Sequence, residues 1–128
     1  MTATTRPGFE AWRLLRILMI ATLAATAAAW LLWGGGVEGA RAAIRLTARI
    51  SLLLFLAAFL ASPLHRLAAG RLTSWLRRNR RYFGLGFAWS HLVHLVFIIL
   101  FWRLDAPAFV EGRTPGSYVP GTIGYLFI

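Results

Sequence analysis

The chain has 128 residues, of which 59% are hydrophobic, and its mean hydropathy is +0.65. Soluble domains are about 45–50% apolar, so this composition is typical of a membrane protein. The formal net charge is +10, but the arginines that carry it lie in short runs between apolar blocks, which favours the positive-inside pattern of membrane proteins over a nucleic-acid groove. The chain contains no cysteine, which excludes disulfides, zinc–thiolate sites and iron–sulfur clusters.

The first apolar block predicts a membrane span over residues 14–33, because about 20 apolar helical residues cross a bilayer. Trp30 and Trp33 lie at its end, where indole rings prefer the headgroup region. The run Gly34–Gly36 predicts the end of the helix, since consecutive glycines carry a large entropy cost there. A cleaved signal peptide is the alternative, but the apolar run is as long as a full span, so a first helix is favoured.

The second block predicts a span over residues 44–64. Its apolar centre is short, so Arg45 and Arg49 are expected at one membrane interface, with their guanidinium groups extended toward water. Pro63 is expected to break this helix, because proline has no amide hydrogen to donate.

The third block predicts a span over residues 82–102, bounded by Tyr82 and Trp102, with a Pro/Gly-rich loop after it. A fourth block starts near Tyr118 and runs for only eleven residues. Eleven helical residues rise about 16 Å, which is too short to cross a bilayer. We expect the start of a fourth span in a chain that is cut short; an interfacial or re-entrant tail is the alternative.

These blocks predict one transmembrane domain over residues 1–128, an all-α polytopic helix bundle with three full spans and the start of a fourth. Residues 62–81 hold six arginines and no acidic residue. The positive-inside rule therefore places the N-terminus and the 62–81 loop in the cytoplasm.

His91 and His94 lie in the middle of the third span, where an ionisable residue is costly and points to a function. They are three residues apart and share a helix face. Gly84 and Ala88 lie on the same stripe, where small residues let a flat molecule or another helix approach closely. His65 ends the second span, too far from mid-membrane to be an easy partner.

Three interpretations of the pair remain open on these residues. In the first, the histidines form structural hydrogen bonds to a neighbouring helix. In the second, both hold a metal ion other than haem iron, although no span supplies a further carboxylate or thiolate for it. In the third, one neutral imidazole is an axial ligand of haem iron. The two cannot ligate opposite faces of one haem. Arg45 and Arg49 are candidate partners of the haem propionates, with plain interfacial anchoring as the favoured alternative.

The segment SPLHRL, the basic stretch after it and RRYFGLGFAWSHLVHLVFIILF resemble the ferric-reductase-like transmembrane domain family. The closest branch is the small bacterial haem-binding membrane subunit of the periplasmic methionine-sulfoxide reductase system. The matching features, over residues 44–102, are Pro63, Arg80–Arg81, Phe83–Gly84–Leu85 and His94.

This resemblance implies a bundle of about six helices that binds haem b and passes electrons across the bacterial inner membrane. It implies that His94 is the axial ligand, while His91 is additional to the family pattern. The second ligand is expected from missing C-terminal helices or another protomer. Because the chain has no flavin or nicotinamide domain, we expect a separate electron donor and a periplasmic redox acceptor.

The alternative is a non-catalytic membrane protein whose histidines are structural. Its arginine-rich segment RRNRR, residues 77–81, would dock a partner or anionic lipid. A basic pocket for a flavin phosphate is a further interpretation of the same segment. The sequence shows neither paired carboxylates nor a phosphate-binding glycine motif, so it does not favour a conventional hydrolase or transferase.

Overall fold

The structure, a computed structural model, describes residues 7–111 and 115–126. Each element in these ranges is a helix, as follows: α1 Pro7–Leu32, α2 Val37–Leu67, α3 Arg71–Leu104, α4 Ala106–Glu111 and α5 Pro115–Leu126. The predicted all-α class is confirmed.

The helices α1, α2 and α3 are long and apolar enough to cross a membrane. Their outer faces expose large apolar side chains, such as Ile20 at 67%, Leu53 at 67% and Phe59 at 64%. Large contiguous apolar surface of this kind is stable in lipid and costly in water. The prediction of three spans is confirmed, and it indicates a multi-pass membrane protein.

The first turn lies where the glycine run predicts it. The Gly34 amide donates to the Leu31 carbonyl at 3.1 Å, and the Gly35 amide donates to the Trp30 carbonyl at 2.9 Å. This pair of bonds is a Schellman motif, which satisfies the last carbonyls of a helix and needs a left-handed residue. Gly34 supplies it with φ +85°, so the sequence Gly–Gly–Gly is what ends α1.

The prediction that Pro63 breaks the second helix is wrong. Pro63 lies inside α2, which continues to Leu67. Proline removes one amide donor, and membrane helices tolerate that loss because neighbouring groups and small local adjustments satisfy the carbonyl left behind.

The predicted 62–81 loop is also mostly helical. The turn between α2 and α3 contains only Ala68–Gly70, because the leucines and arginines on either side are good helix formers. The Gly70 amide donates to Thr73 Oγ1 at 3.0 Å, and Thr73 Oγ1 donates to the Ala68 carbonyl at 2.9 Å. The arginine-rich segment is therefore a helical hairpin end rather than a loop.

The expected Pro/Gly-rich loop after the third span is wrong over residues 106–111, which form α4, and over residues 115–121, which lie in α5. Asp105 caps this helix, since its Oδ1 accepts from the Ala108 amide at 3.1 Å. The fourth block lies in α5, which has 12 residues and, within the described part of the chain, packs against none of the other helices. Twelve residues rise about 18 Å, short of a full span as expected.

The core lies between α2 and α3, which run antiparallel in one register along their whole length. Buried positions on α2 recur every seven residues, at Ala40, Thr47, Leu54 and Ala61. Three of these four residues are small, and small residues in an interface let two helix backbones approach closely, as in many membrane bundles.

The first helix packs on both partners and runs parallel to α3. Trp12 packs on Tyr82 near one end, with ring centroids 5.8 Å apart, and Trp30 packs on Phe97 nearer the other end at 6.5 Å. A Cβ atom placed on Gly86 would lie 3.3 Å from Leu18 Cδ1. The missing side chain of Gly86 is therefore what lets α1 approach α3.

Candidate functional site

His94 makes a polar contact with a buried residue of α2. His94 Nδ1 lies 2.8 Å from Thr47 Oγ1, and Thr47 has no exposed surface. The Thr47 hydroxyl also lies 2.8 Å from the Ala43 carbonyl, to which it donates. A hydroxyl has one proton, so when Thr47 donates to Ala43 it accepts from His94 Nδ1–H. In the neutral imidazole this leaves the lone pair on Nε2.

A second polar pair lies one turn away in the same interface. Ser51 Oγ and Ser90 Oγ are 2.7 Å apart and both are buried. The Ser90 hydroxyl also lies 2.8 Å from the Phe87 carbonyl, and when it donates there Ser51 donates to Ser90. The α2–α3 interface thus contains two hydrogen-bonded pairs in an apolar surrounding, where leaving either group unmatched is costly.

A groove of about 370 Å³ lies beside these pairs, between α2 and α3. We call it the histidine groove; its lining residues are Ala48, Ser51, Leu52, Phe55, Phe87, His91 and His94. Leu52 and Phe55 are 57% and 42% exposed, so the groove opens on the outer face of the bundle, toward lipid.

The structure brings the two predicted histidines together in this groove. Their ring centroids are 6.0 Å apart, and the His91 ring lies 4.6 Å from that of Phe87. A Cβ atom on Gly84 would meet nothing within 4 Å, so the space expected beside the histidine stripe is present there. Gly86, in contrast, is filled by helix packing.

The structure does not bring Arg45 and Arg49 into the histidine groove. They line a separate groove of about 190 Å³ with Trp33 and three other residues, and no residue lines both grooves. The arginines lie beside α1 rather than beside the histidines. Their predicted roles, as propionate partners or as interfacial anchors, stay predictions.

His65 lies at the far end of the hairpin, where its Nδ1 is 3.2 Å from Thr73 Oγ1. On the same helix, Thr73 and His94 are separated by 21 residues, which corresponds to about 31 Å. His65 therefore lies far from the other two histidines. Among the described residues, no group of three His, Cys, Asp or Glu is placed to hold a metal ion.

Sequence reasoning missed Thr47, the residue that positions His94. The signal was present in the pattern of α2, because Thr47 occupies one of the buried positions that repeat every seven residues. A hydroxyl at such a position needs a partner inside the bundle. Its partner on α3 follows only from the register of the two helices, which the sequence does not display.

The fold and the groove define the class: a multi-pass helical membrane protein with a histidine pair in its third long helix. No match was found for the chain among family models, curated proteins or solved structures.

Proposed function

We propose that the chain is a haem-b-binding electron-transfer protein of the bacterial inner membrane, of the ferric-reductase-like type, with His94 as an axial ligand. The observation that supports this is the 2.8 Å contact between His94 Nδ1 and Thr47 Oγ1. A metal-ligating histidine almost always donates its other N–H to a fixed acceptor, which sets the tautomer and the ring orientation. Thr47 is a fixed acceptor of this kind for His94 when Nδ1 carries the proton.

The lining of the histidine groove is compatible with a porphyrin. Phe55, Phe87 and Leu52 offer the apolar contact that a macrocycle needs. When bound, haem supplies a one-electron carrier; the residues of the chain bind it, orient it and exclude water.

His91 and His94 project from one side of α3, so at most one of them ligates a given iron. We assign that role to His94 and treat His91 as a neighbour of the iron site. A second ligand would come from another protomer. A separate protein or quinone would donate the electrons, and a periplasmic acceptor would take them.

The test is a visible spectrum of the full chain, purified in detergent from haem-replete cells, before and after dithionite. We expect a Soret band, with sharp α and β bands on reduction. The variant His94→Ala should lose them, because the iron loses its ligand. The variant His65→Ala is the matched control and should keep them, since it lies about 30 Å away along the bundle. The variant His91→Ala should keep haem with an altered midpoint potential.

A colourless protein, or a spectrum that His94→Ala leaves unchanged, would contradict this proposal. The same hydrogen bond favours a second candidate, a non-catalytic protein in which the Thr47–His94 and Ser51–Ser90 pairs join two helices. Interhelical hydrogen bonds in membranes contribute about 0.6 kcal/mol on average. In that case His94→Ala would lower the melting temperature of a protein that never carried haem.

A further inference from the structure

We propose that the arginine-rich end of the α2–α3 hairpin holds the phosphate group of an anionic lipid in a cavity between the two helices. This inference concerns a different part of the molecule from the histidine groove, and it holds whether or not the chain binds haem.

The cavity has a volume of about 330 Å³ and is lined by Ser62 and Arg66 from α2 and by Arg77 and Arg80 from α3. Arg80 donates to Ser62 Oγ at 3.0 Å. Because Ser62 accepts this bond, its own proton is the donor that it offers to an oxygen of a ligand. The two helices thus place a hydroxyl and three guanidinium groups around one cavity.

The positive charge in this cavity has no acidic partner within the described residues. No carboxylate lines the cavity. Among the described residues, the ion pair Arg41–Glu38 lies at the other end of the hairpin. Like charges that share a cavity repel one another, and an anion relieves that repulsion. Guanidinium groups match the oxygens of phosphate in pairs, so phosphate is the chemistry that this set of donors favours.

The depth of the cavity favours a lipid as the source of the phosphate. The Trp12–Tyr82 ring pair marks the end of the apolar part of α3. Arg80 and Arg77 lie two and five residues beyond Tyr82, about 3 and 7.5 Å along the helix axis. The headgroup layer is about 5–8 Å thick on each side of the hydrocarbon core, so the cavity lies at the level of lipid phosphates.

An apolar surface for the acyl chains adjoins the cavity on the membrane side. Phe59 is 64% exposed and lies three residues before Ser62, on a neighbouring part of the same helix face. Its ring stacks on Phe55 at 5.5 Å. A lipid bound by its phosphate would therefore place its chains against aromatic side chains, which a soluble phosphate compound would leave uncovered.

The test compares two lipids with identical acyl chains, phosphatidylglycerol and phosphatidylcholine, bound to the purified full chain and measured by native mass spectrometry. We expect preferential binding of phosphatidylglycerol. In the double variant Arg66→Gln/Arg77→Gln its affinity should fall at least about tenfold, given the attraction of each arginine for an anionic lipid. The double variant Arg71→Gln/Arg78→Gln removes the same charge from a different cavity and should lose much less.

Three results would overturn the proposal: equal binding of the two lipids, equal losses in the two double variants, or displacement of phosphatidylglycerol by millimolar glycerol phosphate. The first would indicate binding through the acyl chains alone, the second diffuse attraction to negative charge, and the third a soluble phosphate ligand such as a flavin nucleotide. A further measurement uses the unaltered chain, so that misfolding of a variant cannot affect the result. Phosphatidylglycerol should raise the melting temperature of the unaltered chain more than phosphatidylcholine does, and equal shifts would count against the site.

Discussion

We expect Thr47 to favour the His94 tautomer that carries its proton on Nδ1, and this can be tested without changing either histidine. Valine has nearly the shape of threonine but cannot accept a hydrogen bond. Thr47 is buried, so Thr47→Val should leave the helix packing unchanged. It should also leave the Nδ1–H group of His94 without an acceptor. If His94 ligates haem, we expect the affinity for haem to fall about 10- to 100-fold, the usual cost of removing the partner of a metal ligand.

The measurement is a haem titration of the stripped protein, followed by its absorption spectrum. Thr47→Ser is the matched control, because serine keeps the hydroxyl and should keep most of the affinity. An affinity that Thr47→Val does not change would show that Thr47 does not position a ligand.

At the scale of the helix, Pro63 leaves α2 without one backbone hydrogen-bond donor, and a single substitution should restore it. Pro63 lies inside α2 and cannot donate to the carbonyl of Phe59, four residues before it. Pro63→Ala supplies that donor and should raise the melting temperature of the purified protein. Pro107→Ala, in the short helix α4, is the control and should change it little; a lower melting temperature for Pro63→Ala would contradict this account.

Much of the fold could be predicted from local sequence, and little of the site could. The end of α1 follows from the conformation that Gly34 can adopt, and the spans follow from the lengths of the apolar blocks. Local sequence mispredicts Pro63, because proline ends helices in water more often than it ends helices in an apolar surrounding. The Thr47–His94 contact joins residues 47 positions apart, and only the packing of two helices determines such a pair.

At the scale of the whole molecule, the two hairpin turns lie at opposite ends of the bundle, and their sidedness can be measured directly. The chain has no cysteine, so a single introduced thiol reports one position. Gly36→Cys is tolerable because a Cβ atom there meets nothing within 4 Å, and Ala69 is exposed in the second turn. If the arginine-rich end faces the cytoplasm, an impermeant maleimide should label Gly36→Cys in intact cells and Ala69→Cys only after permeabilisation.

The reverse labelling pattern would invert the orientation, and with it the direction in which the proposed electron carrier works. Labelling of both thiols in intact cells would contradict a membrane-spanning α2.

The two polar pairs between α2 and α3 have a consequence for how the hairpin assembles. Suppose that α3 slid by one helical turn, so that Thr47 came opposite Ser90. Ser51 would then face Gly86, which has no side chain, and His94 would lose its acceptor. Hydrocarbon offers these abandoned groups no water to bond instead. The helices are therefore inserted with their final alignment already encoded, much as one polar residue fixes the alignment of a coiled coil.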